Sequence, residues 1–179
     1  NYIIIKINDD GDFKNKKIVI AEALLESVIK DCGIKNFDQL KSFKGKEFKD
    51  TVCNHPFYSL NFTYDIPMFQ ARFVTTEQGT GIVHCAPSHG PDDFNLCLNN
   101  GIKAIETVDG DGKYTKNVQL FDGIHIFKAN PIVIEKLKEQ KKLLFNGELI
   151  HSYPHSWRSK APLVHRATPQ WFISMESHE

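Results

Sequence analysis

The residues from Gly79 to Phe94, GTGIVHCAPSHGPDDF, bring together the side-chain types that most often do chemistry. Two histidines, a serine and two adjacent carboxylates follow a glycine-rich turn, at His84, Ser88, His89, Asp92 and Asp93. Imidazole rings can move protons or bind a metal, carboxylates can bind cations, and a hydroxyl can act as a nucleophile. The spacing of these residues decides which of these chemistries is favoured.

The spacing favours neither a metal centre nor a serine hydrolase. The possible ligands His84, His89, Asp92 and Asp93 are separated by gaps that match no dependable zinc pattern, and no CxxC pair accompanies them. Ser88 stands in PSHG rather than in the GxSxG turn of serine hydrolases, and no third partner is identifiable. We therefore predict no metal site and no serine nucleophile.

The remaining candidates each have a structural and a functional interpretation. His84 is predicted on a strand, on the same face as Ile82, so it is either a core histidine bonded to backbone or a residue that faces a ligand. Asp92 and Asp93 fall in the first turn of a predicted helix, where a carboxylate interacts with the helix dipole by roughly 0.3–1 kcal/mol. In the functional interpretation one carboxylate binds a cation, most simply a primary ammonium. Spacing alone leaves both interpretations open.

The elements around these residues must hold them in place. MFQARFVTTEQGTGIVHCAP predicts a β-hairpin: an alternating strand, a turn at Gly79 to Gly81, and a second strand that carries His84. Glycine lets the backbone approach a ligand closely, although a GTG turn by itself is common. Pro91 and Gly101 then predict the start and the end of a helix.

Elsewhere the sequence predicts short strands and two more helices. Strands are expected over residues 2–7, 17–20 and 123–127, with further short strands within residues 37–62. One helix is expected over residues 21–32, and another begins at Asn130 and Pro131, with Ile132, Ile134 and Leu137 facing inward. The aromatic- and proline-rich stretch from His151 should wrap or connect.

The composition is that of a soluble globular domain, with 179 residues, 41% hydrophobic and 25% charged. Because 22 basic residues balance 22 acidic ones, no bulk charge draws the chain to nucleic acid or to an anionic membrane. Four cysteines lie far apart, which favours reduced thiols, each buried for structural reasons, in a cytoplasmic protein. The early apolar run YIIIKI is too short for a signal peptide or a membrane span.

Seven blocks follow one another along nearly the whole chain: AEALLESV, FKGKEF, HPF, VTTEQGTGIVHCAPSHGPDDF, DGIHIFKANP, HSYPHSWR and RATPQWFISM. In this order they resemble the editing insertion of class I aminoacyl-tRNA synthetases for branched aliphatic amino acids, most closely that of the bacterial-type isoleucyl family. Leucyl and valyl relatives share the GTG and the late aspartate. His84, in GTGxVH, favours the isoleucyl members.

The resemblance implies a mainly β fold with α+β character, a compact β-barrel with peripheral helices. It implies an editing domain over residues 1–150 and a connecting segment over residues 151–179 that leads back to the synthetic core. The implied activity is hydrolysis of mischarged Val-tRNA(Ile) with rejection of Ile-tRNA(Ile), needed because one methylene gives a hydrophobic pocket only ~1–3 kcal/mol of discrimination.

The resemblance also implies partners and cofactors. The partners are the valine-carrying acceptor end of tRNA(Ile) and the rest of the synthetase in cis, in a monomer that binds no membrane. The editing domain would need no cofactor or metal, whereas ATP and magnesium would serve the synthetic domain. The alternatives are a non-catalytic module that binds aminoacyl-adenosine or the acceptor end, and an editing domain of the valyl or leucyl type.

Residue by residue, the resemblance implies that Asp93 grips the α-ammonium of the misattached amino acid and that His84 lines the side-chain pocket and helps to exclude isoleucine. Gly79, Thr80 and Gly81 would admit the terminal adenosine. An aminoacyl ester is already activated, so a positioned water and a neighbouring ribose hydroxyl could supply much of the rate without a protein nucleophile.

Three features depart from the family pattern. In the family a threonine-rich peptide of the type WTTTPWT precedes the segment that matches NYIIIKI and forms one wall of the editing pocket. Thr75 and Thr76 are expected on a different strand and are not that peptide. This chain starts after that peptide, so we expect an incomplete site. Ser156 and Ser159 replace a CxxC-type pair of many relatives, in agreement with no zinc. Arg72 stands where an acidic or small polar residue is expected.

Overall fold

The computed structural model describes residues 1–148 and 150–175. Within these ranges the chain forms two compact units, here called the first unit, residues 1–84 with 130–148, and the second unit, residues 85–129 with 150–175. The described residues contain five strands, three α-helices and four short 3-10 helices. This content agrees with the predicted mainly β class with α+β character, while closure of the strands into a barrel stays a prediction.

An antiparallel three-stranded sheet lies at the centre of the first unit. Its order is β2-β1-β3, with β1 at Tyr2–Ile7, β2 at Lys17–Ala21 and β3 at Phe37–Phe43. Alternate residues of β1 are buried, namely Ile3, Ile5 and Ile7, because successive side chains of a strand point to opposite faces. The strands predicted over residues 2–7 and 17–20 are confirmed.

A helix covers one face of this sheet, as the sequence predicts. A 3-10 turn at Glu22–Leu24 leads into α1 at Leu25–Asp31. Leu24 and Val28 are buried in the same cluster as Ile3, Ile5 and Ile20. The helical spacing of the apolar residues therefore correctly predicted a helix that packs on the sheet through Leu24 and Val28.

The first unit also contains a two-stranded sheet and, between its strands in sequence, a cluster of aromatic rings. β4 at Val52–Asn54 pairs antiparallel with β5 at Asp65–Pro67. Between them the ring of His55 stacks on Phe62, with centroids 4.7 Å apart and planes at 17°. Phe57 and Tyr64 contact the same histidine at 5.5 and 5.6 Å between centroids.

In the second unit, α2 at Pro91–Asn99 has Pro91 in its first turn and is followed by Gly101 at φ 78°. Both boundary residues are the predicted ones. The side chain that α2 buries is Cys97, whereas Phe94 and Leu98 are exposed.

The helix α3 spans Ile126–Glu139. It begins before the predicted start, so Pro131 lies inside it and the hydrogen bond from residue 131 to the carbonyl of Phe127 is missing. The strand predicted over residues 123–127 is wrong, since His125 makes a single bridge to Lys113 before the helix begins. Ile132, expected to face inward, is exposed.

The predicted hairpin before the second unit is also wrong. Residues 68–90, all of which the structure describes, contain no strand. Alternation shows that a segment could form a strand, but a strand exists only where a second backbone offers a ladder of hydrogen bonds. Here the backbone of Thr80 bonds instead to Ala21 at the end of β2.

Candidate functional site

The turn from Gly79 to Gly81 is anchored at the edge of the first unit's main sheet. The carbonyl oxygen of Thr80 accepts a hydrogen bond from the N–H of Ala21 at 2.8 Å. The hydroxyl of Tyr2 donates to the carbonyl oxygen of Gly81 at 2.7 Å. The GTG turn is therefore held at a fixed place by residues from β1 and β2.

Gly79 and Gly81 differ in the space available for a side chain. Both adopt a positive φ, 72° at Gly79 and 76° at Gly81, which other residues rarely do. A Cβ on Gly81 would lie 2.5 Å from the Cβ of Ala21, whereas a Cβ on Gly79 would meet no atom within 4 Å. Gly81 thus permits close packing on β2, a structural requirement that the sequence pattern did not separate from close approach of a ligand.

His84 is exposed and lies in a segment that is neither strand nor helix. The interpretation as a buried core histidine on a strand is therefore wrong, and Ile82 is exposed as well. The neighbouring titratable group is His55, whose pKa is lowered by burial and, to a smaller extent, by the charge of His84. The Nδ1 atom of His55 accepts a hydrogen bond from the N–H of Phe57 at 3.0 Å, which only an unprotonated nitrogen can do.

Asp93 occupies the first turn of α2, as predicted, and is half-buried, while Asp92 is exposed. Its Oδ2 atom accepts a hydrogen bond from the N–H of Ala86 at 2.7 Å. Burial and the Asp93 carboxylate raise the pKa values of two thiols in the second unit, Cys85 and Cys97. The carboxylate is thus turned back from the helix toward the loop that precedes it.

Ser88 and His89 are both engaged by the protein itself. Ser88 is buried, and its hydroxyl donates to the carbonyl oxygen of Ile105 at 2.5 Å. The Nδ1 atom of His89 lies 3.0 Å from the carbonyl oxygen of His165, and its Nε2 atom lies 2.6 Å from the hydroxyl oxygen of Thr107. A nucleophile or a metal ligand needs an available atom, so these contacts fit a structural role for both residues.

The other residues singled out in the sequence lie on the surface or in turns. Arg72, Thr75 and Thr76 are exposed, and Thr76 lines an open depression together with Asn1, Glu22 and Ala23. Ser159 donates its N–H to the hydroxyl oxygen of Ser156 at 3.2 Å, as in a serine-stabilised turn. The four cysteines are free thiols, and Cys53 is exposed rather than buried as expected.

Within residues 1–148 and 150–175, no three histidine, cysteine, aspartate or glutamate side chains come together in a way that could hold a metal ion. Across the same ranges, no α-helix is both long enough and apolar enough to cross a lipid bilayer.

The predicted site residues are divided between the two units. Gly79, Thr80, Gly81 and His84 belong to the first unit, and Asp93 belongs to the second. Sequence reasoning missed three contacts: the hydrogen bond from the Ala86 amide to Asp93 and the two contacts of the His89 ring. No local pattern could have found the His89 contacts, because the partner residues are 18 and 76 positions away.

Comparison with known proteins gives the class of the chain. No family model matches it. It is 82% identical over 178 residues to the isoleucine–tRNA ligase of Pelagibacter ubique, which covers 99% of this chain and 20% of that protein. It is 42% identical over 176 residues to the enzyme of the same name from Hahella chejuensis and 44% identical over 176 residues to that from Saccharophagus degradans, covering 98% and 96% of this chain and 18% of each relative.

These relatives are aminoacyl-tRNA synthetases of class I, and the chain spans about a fifth of their length. The chain belongs to the isoleucine–tRNA ligase family, as the counterpart of that segment.

Proposed function

We propose that the chain is the editing domain of an isoleucine–tRNA ligase, which hydrolyses the ester of Val-tRNA(Ile) and rejects Ile-tRNA(Ile). The observation that carries the proposal is the half-buried carboxylate of Asp93 in the first turn of α2, which accepts a hydrogen bond from the N–H of Ala86. The similarity to isoleucine–tRNA ligases along nearly the whole chain supports the choice of substrate.

Asp93 supplies the recognition of the amino group. A carboxylate with one oxygen fixed by a backbone N–H keeps further lone pairs for a cation, and an α-ammonium group is a donor of the right charge and size. A hydrogen bond to a charged group contributes about 1.5–3 kcal/mol, which corresponds to roughly 10- to 150-fold in affinity. This contact identifies an aminoacyl ester without regard to its side chain.

His84 supplies the limit on side-chain size. Its exposed imidazole can reach a bound ligand, and it follows directly on the turn that is anchored to the sheet by Tyr2 and Ala21. In the proposed site Gly79, Thr80 and Gly81 admit the terminal adenosine. A ring that lies beside the side chain of a bound valine would leave no volume for the additional methylene of isoleucine.

The reaction is ester hydrolysis. Water attacks the carbonyl carbon, the bond from that carbon to the ribose oxygen breaks, and valine and the uncharged tRNA leave. A neighbouring ribose hydroxyl and a positioned water assist, so no protein nucleophile and no cofactor are needed. ATP and magnesium belong to the synthetic domain of the intact ligase, a cytoplasmic monomer that presents the acceptor end in cis.

The first experiment compares deacylation of Val-tRNA(Ile) and Ile-tRNA(Ile) by this chain and by a version extended at its N-terminus with the family's threonine-rich peptide. We expect selective hydrolysis of the valyl ester by the extended version. No valyl hydrolysis by either version would overturn the editing proposal.

Two substitutions test the residue roles in the extended version. Asp93→Asn keeps an oxygen for the Ala86 amide but removes the charge, so it should reduce affinity for a valyl ester about 10-fold or more and leave affinity for the deaminated ester unchanged. His84→Ala should increase hydrolysis of the isoleucyl ester relative to the valyl ester. Equal losses of affinity for the valyl and the deaminated ester in Asp93→Asn would refute the role of Asp93. An unchanged ratio of isoleucyl to valyl hydrolysis in His84→Ala would refute the role of His84.

A second candidate is a non-catalytic module that binds aminoacyl-adenosine or the acceptor end. The contacts of Ser88 and His89 favour it, because side chains that are engaged by the protein supply neither a nucleophile nor a base. Binding of Val-tRNA(Ile) by the extended version without hydrolysis would select this module.

A further inference from the structure

We propose that His89 is the residue that positions the carboxylate of Asp93 for amino-group recognition. It does so by fixing the turn formed by residues 86–89, which supplies the N–H donor to Asp93. This inference rests on the proposed function of Asp93 and adds a residue to that site.

The ring of His89 is held at both nitrogens by segments remote in the sequence. A carbonyl oxygen can only accept, so the Nδ1 atom donates to His165 at 3.0 Å. In a neutral ring the Nε2 atom then accepts from the hydroxyl of Thr107 at 2.6 Å. The two bonds leave the imidazole one orientation, and the ring ties the turn to both segments.

The turn itself is closed and braced. The N–H of His89 donates to the carbonyl oxygen of Ala86 at 2.9 Å, the bond that closes a four-residue β-turn. Ser88 adds two bonds, from its buried hydroxyl to Ile105 at 2.5 Å and from the N–H of Ala167 to its own carbonyl oxygen at 2.8 Å. The turn formed by residues 86–89 is thereby bonded to two remote segments, residues 105–107 and 165–167.

The consequence reaches Asp93 through one residue, Ala86. Ala86 accepts from His89 through its carbonyl oxygen and donates through its N–H to Oδ2 of Asp93 at 2.7 Å. If the turn loosens, the donor that aims the carboxylate moves with it. A misplacement of about 1 Å in a positioning contact can cost on the order of 100-fold in rate.

The test uses the full-length ligase that carries this segment, with two tRNA(Ile) esters as substrates. One carries valine and the other carries 3-methylbutanoate, which is valine without its amino group. His89→Phe removes both ring hydrogen bonds, whereas His89→Asn keeps a donor near the Nδ1 position. We expect His89→Phe to reduce the preference for the valyl ester about tenfold or more, with partial rescue in His89→Asn.

The controls separate a positioning role from general loosening. His151→Phe, a change of the same kind at an exposed site of the second unit, should leave the preference unchanged. Equal losses for both esters in His89→Phe would overturn the inference. If His89→Phe does not fold, Thr107→Val is the variant to use, because it removes only the bond at the Nε2 atom. The same preference for the valyl over the 3-methylbutanoyl ester is then measured.

The two proposals fail in different ways. If the unaltered enzyme does not hydrolyse the valyl ester, or does not prefer it, the proposed function is wrong. If Asp93→Asn abolishes the preference and neither His89→Phe nor Thr107→Val lowers it, the function stands and the role of His89 is refuted.

Discussion

Replacing Gly81 with alanine should destabilise the first unit far more than the same replacement at Gly79. Both residues have a positive φ, so both substitutions place a Cβ in a left-handed backbone, at about 1–2 kcal/mol each. Only at Gly81 does the new Cβ collide, since it would lie 2.5 Å from the Cβ of Ala21. Relief of such a collision by displacement of neighbouring atoms costs a further ~1–3 kcal/mol.

The expected losses are therefore roughly 2–5 kcal/mol for Gly81→Ala and about 1–2 kcal/mol for Gly79→Ala. Gly79→Ala is a matched control, because nothing lies within 4 Å of its added Cβ. The difference between the two substitutions isolates the contact with β2 from the strain of the backbone.

A third variant tests the contact directly. Ala21→Gly removes the atom that the new methyl group meets, so the double variant should recover about 1–3 kcal/mol relative to the sum of the single changes. Native-state hydrogen exchange at the β1 amides measures the free energy of opening in this unit. Equal losses at Gly79 and Gly81, together with no coupling between Gly81 and Ala21, would refute the packing of the GTG turn on the sheet.

The remaining predictions concern three other groups of the two units. Tyr2→Phe removes the hydroxyl that donates to Gly81 and should lower the stability of the first unit by about 0.5–1.5 kcal/mol in the same exchange experiment; no change would mean that this bond contributes nothing. Burial lowers the pKa of His55 in the folded state, so the unfolded chain takes up the proton first as the pH falls. The stability that His55 contributes is therefore complete above pH 6.5 and falls as the pH drops below it. His55→Gln should flatten this dependence of stability on pH, measured by hydrogen exchange at several pH values. Burial, together with the Asp93 carboxylate, raises the pKa of Cys85, so iodoacetamide at neutral pH should modify the exposed Cys53 first, and the reverse order in mass spectrometry would contradict this.

Several elements followed from the sequence because their signals are local. The β-branched residues of YIIIKI predicted β1, and the apolar spacing that includes Leu24 and Val28 predicted α1. Pro91 and Gly101 bounded α2, which put Asp93 in the first turn of a helix. In each case the backbone conformation depends on residues within a few positions of one another.

The hairpin around the GTG turn and the strand at residues 123–127 could not be predicted in this way. Both segments have residues typical of strands, but a strand also requires a partner backbone. Thr80 bonds to the end of β2, and His125 leads into α3. The tertiary structure decided these conformations by supplying different partners from those that local alternation suggested.

For the candidate site, too, some features followed from the sequence and others only from the tertiary structure. The sequence by itself determined the residue types, the family resemblance through the GTGIVHCAPSHGPDDF block, and the helical position of Asp93. Tertiary structure alone decided that Gly81 packs on Ala21 and accepts from Tyr2, and that His89 bonds to His165. The physical reason is sequence separation: the last two contacts join residues 79 and 76 positions apart, and a hydrogen bond or a steric contact depends on a distance in space that local periodicity does not encode.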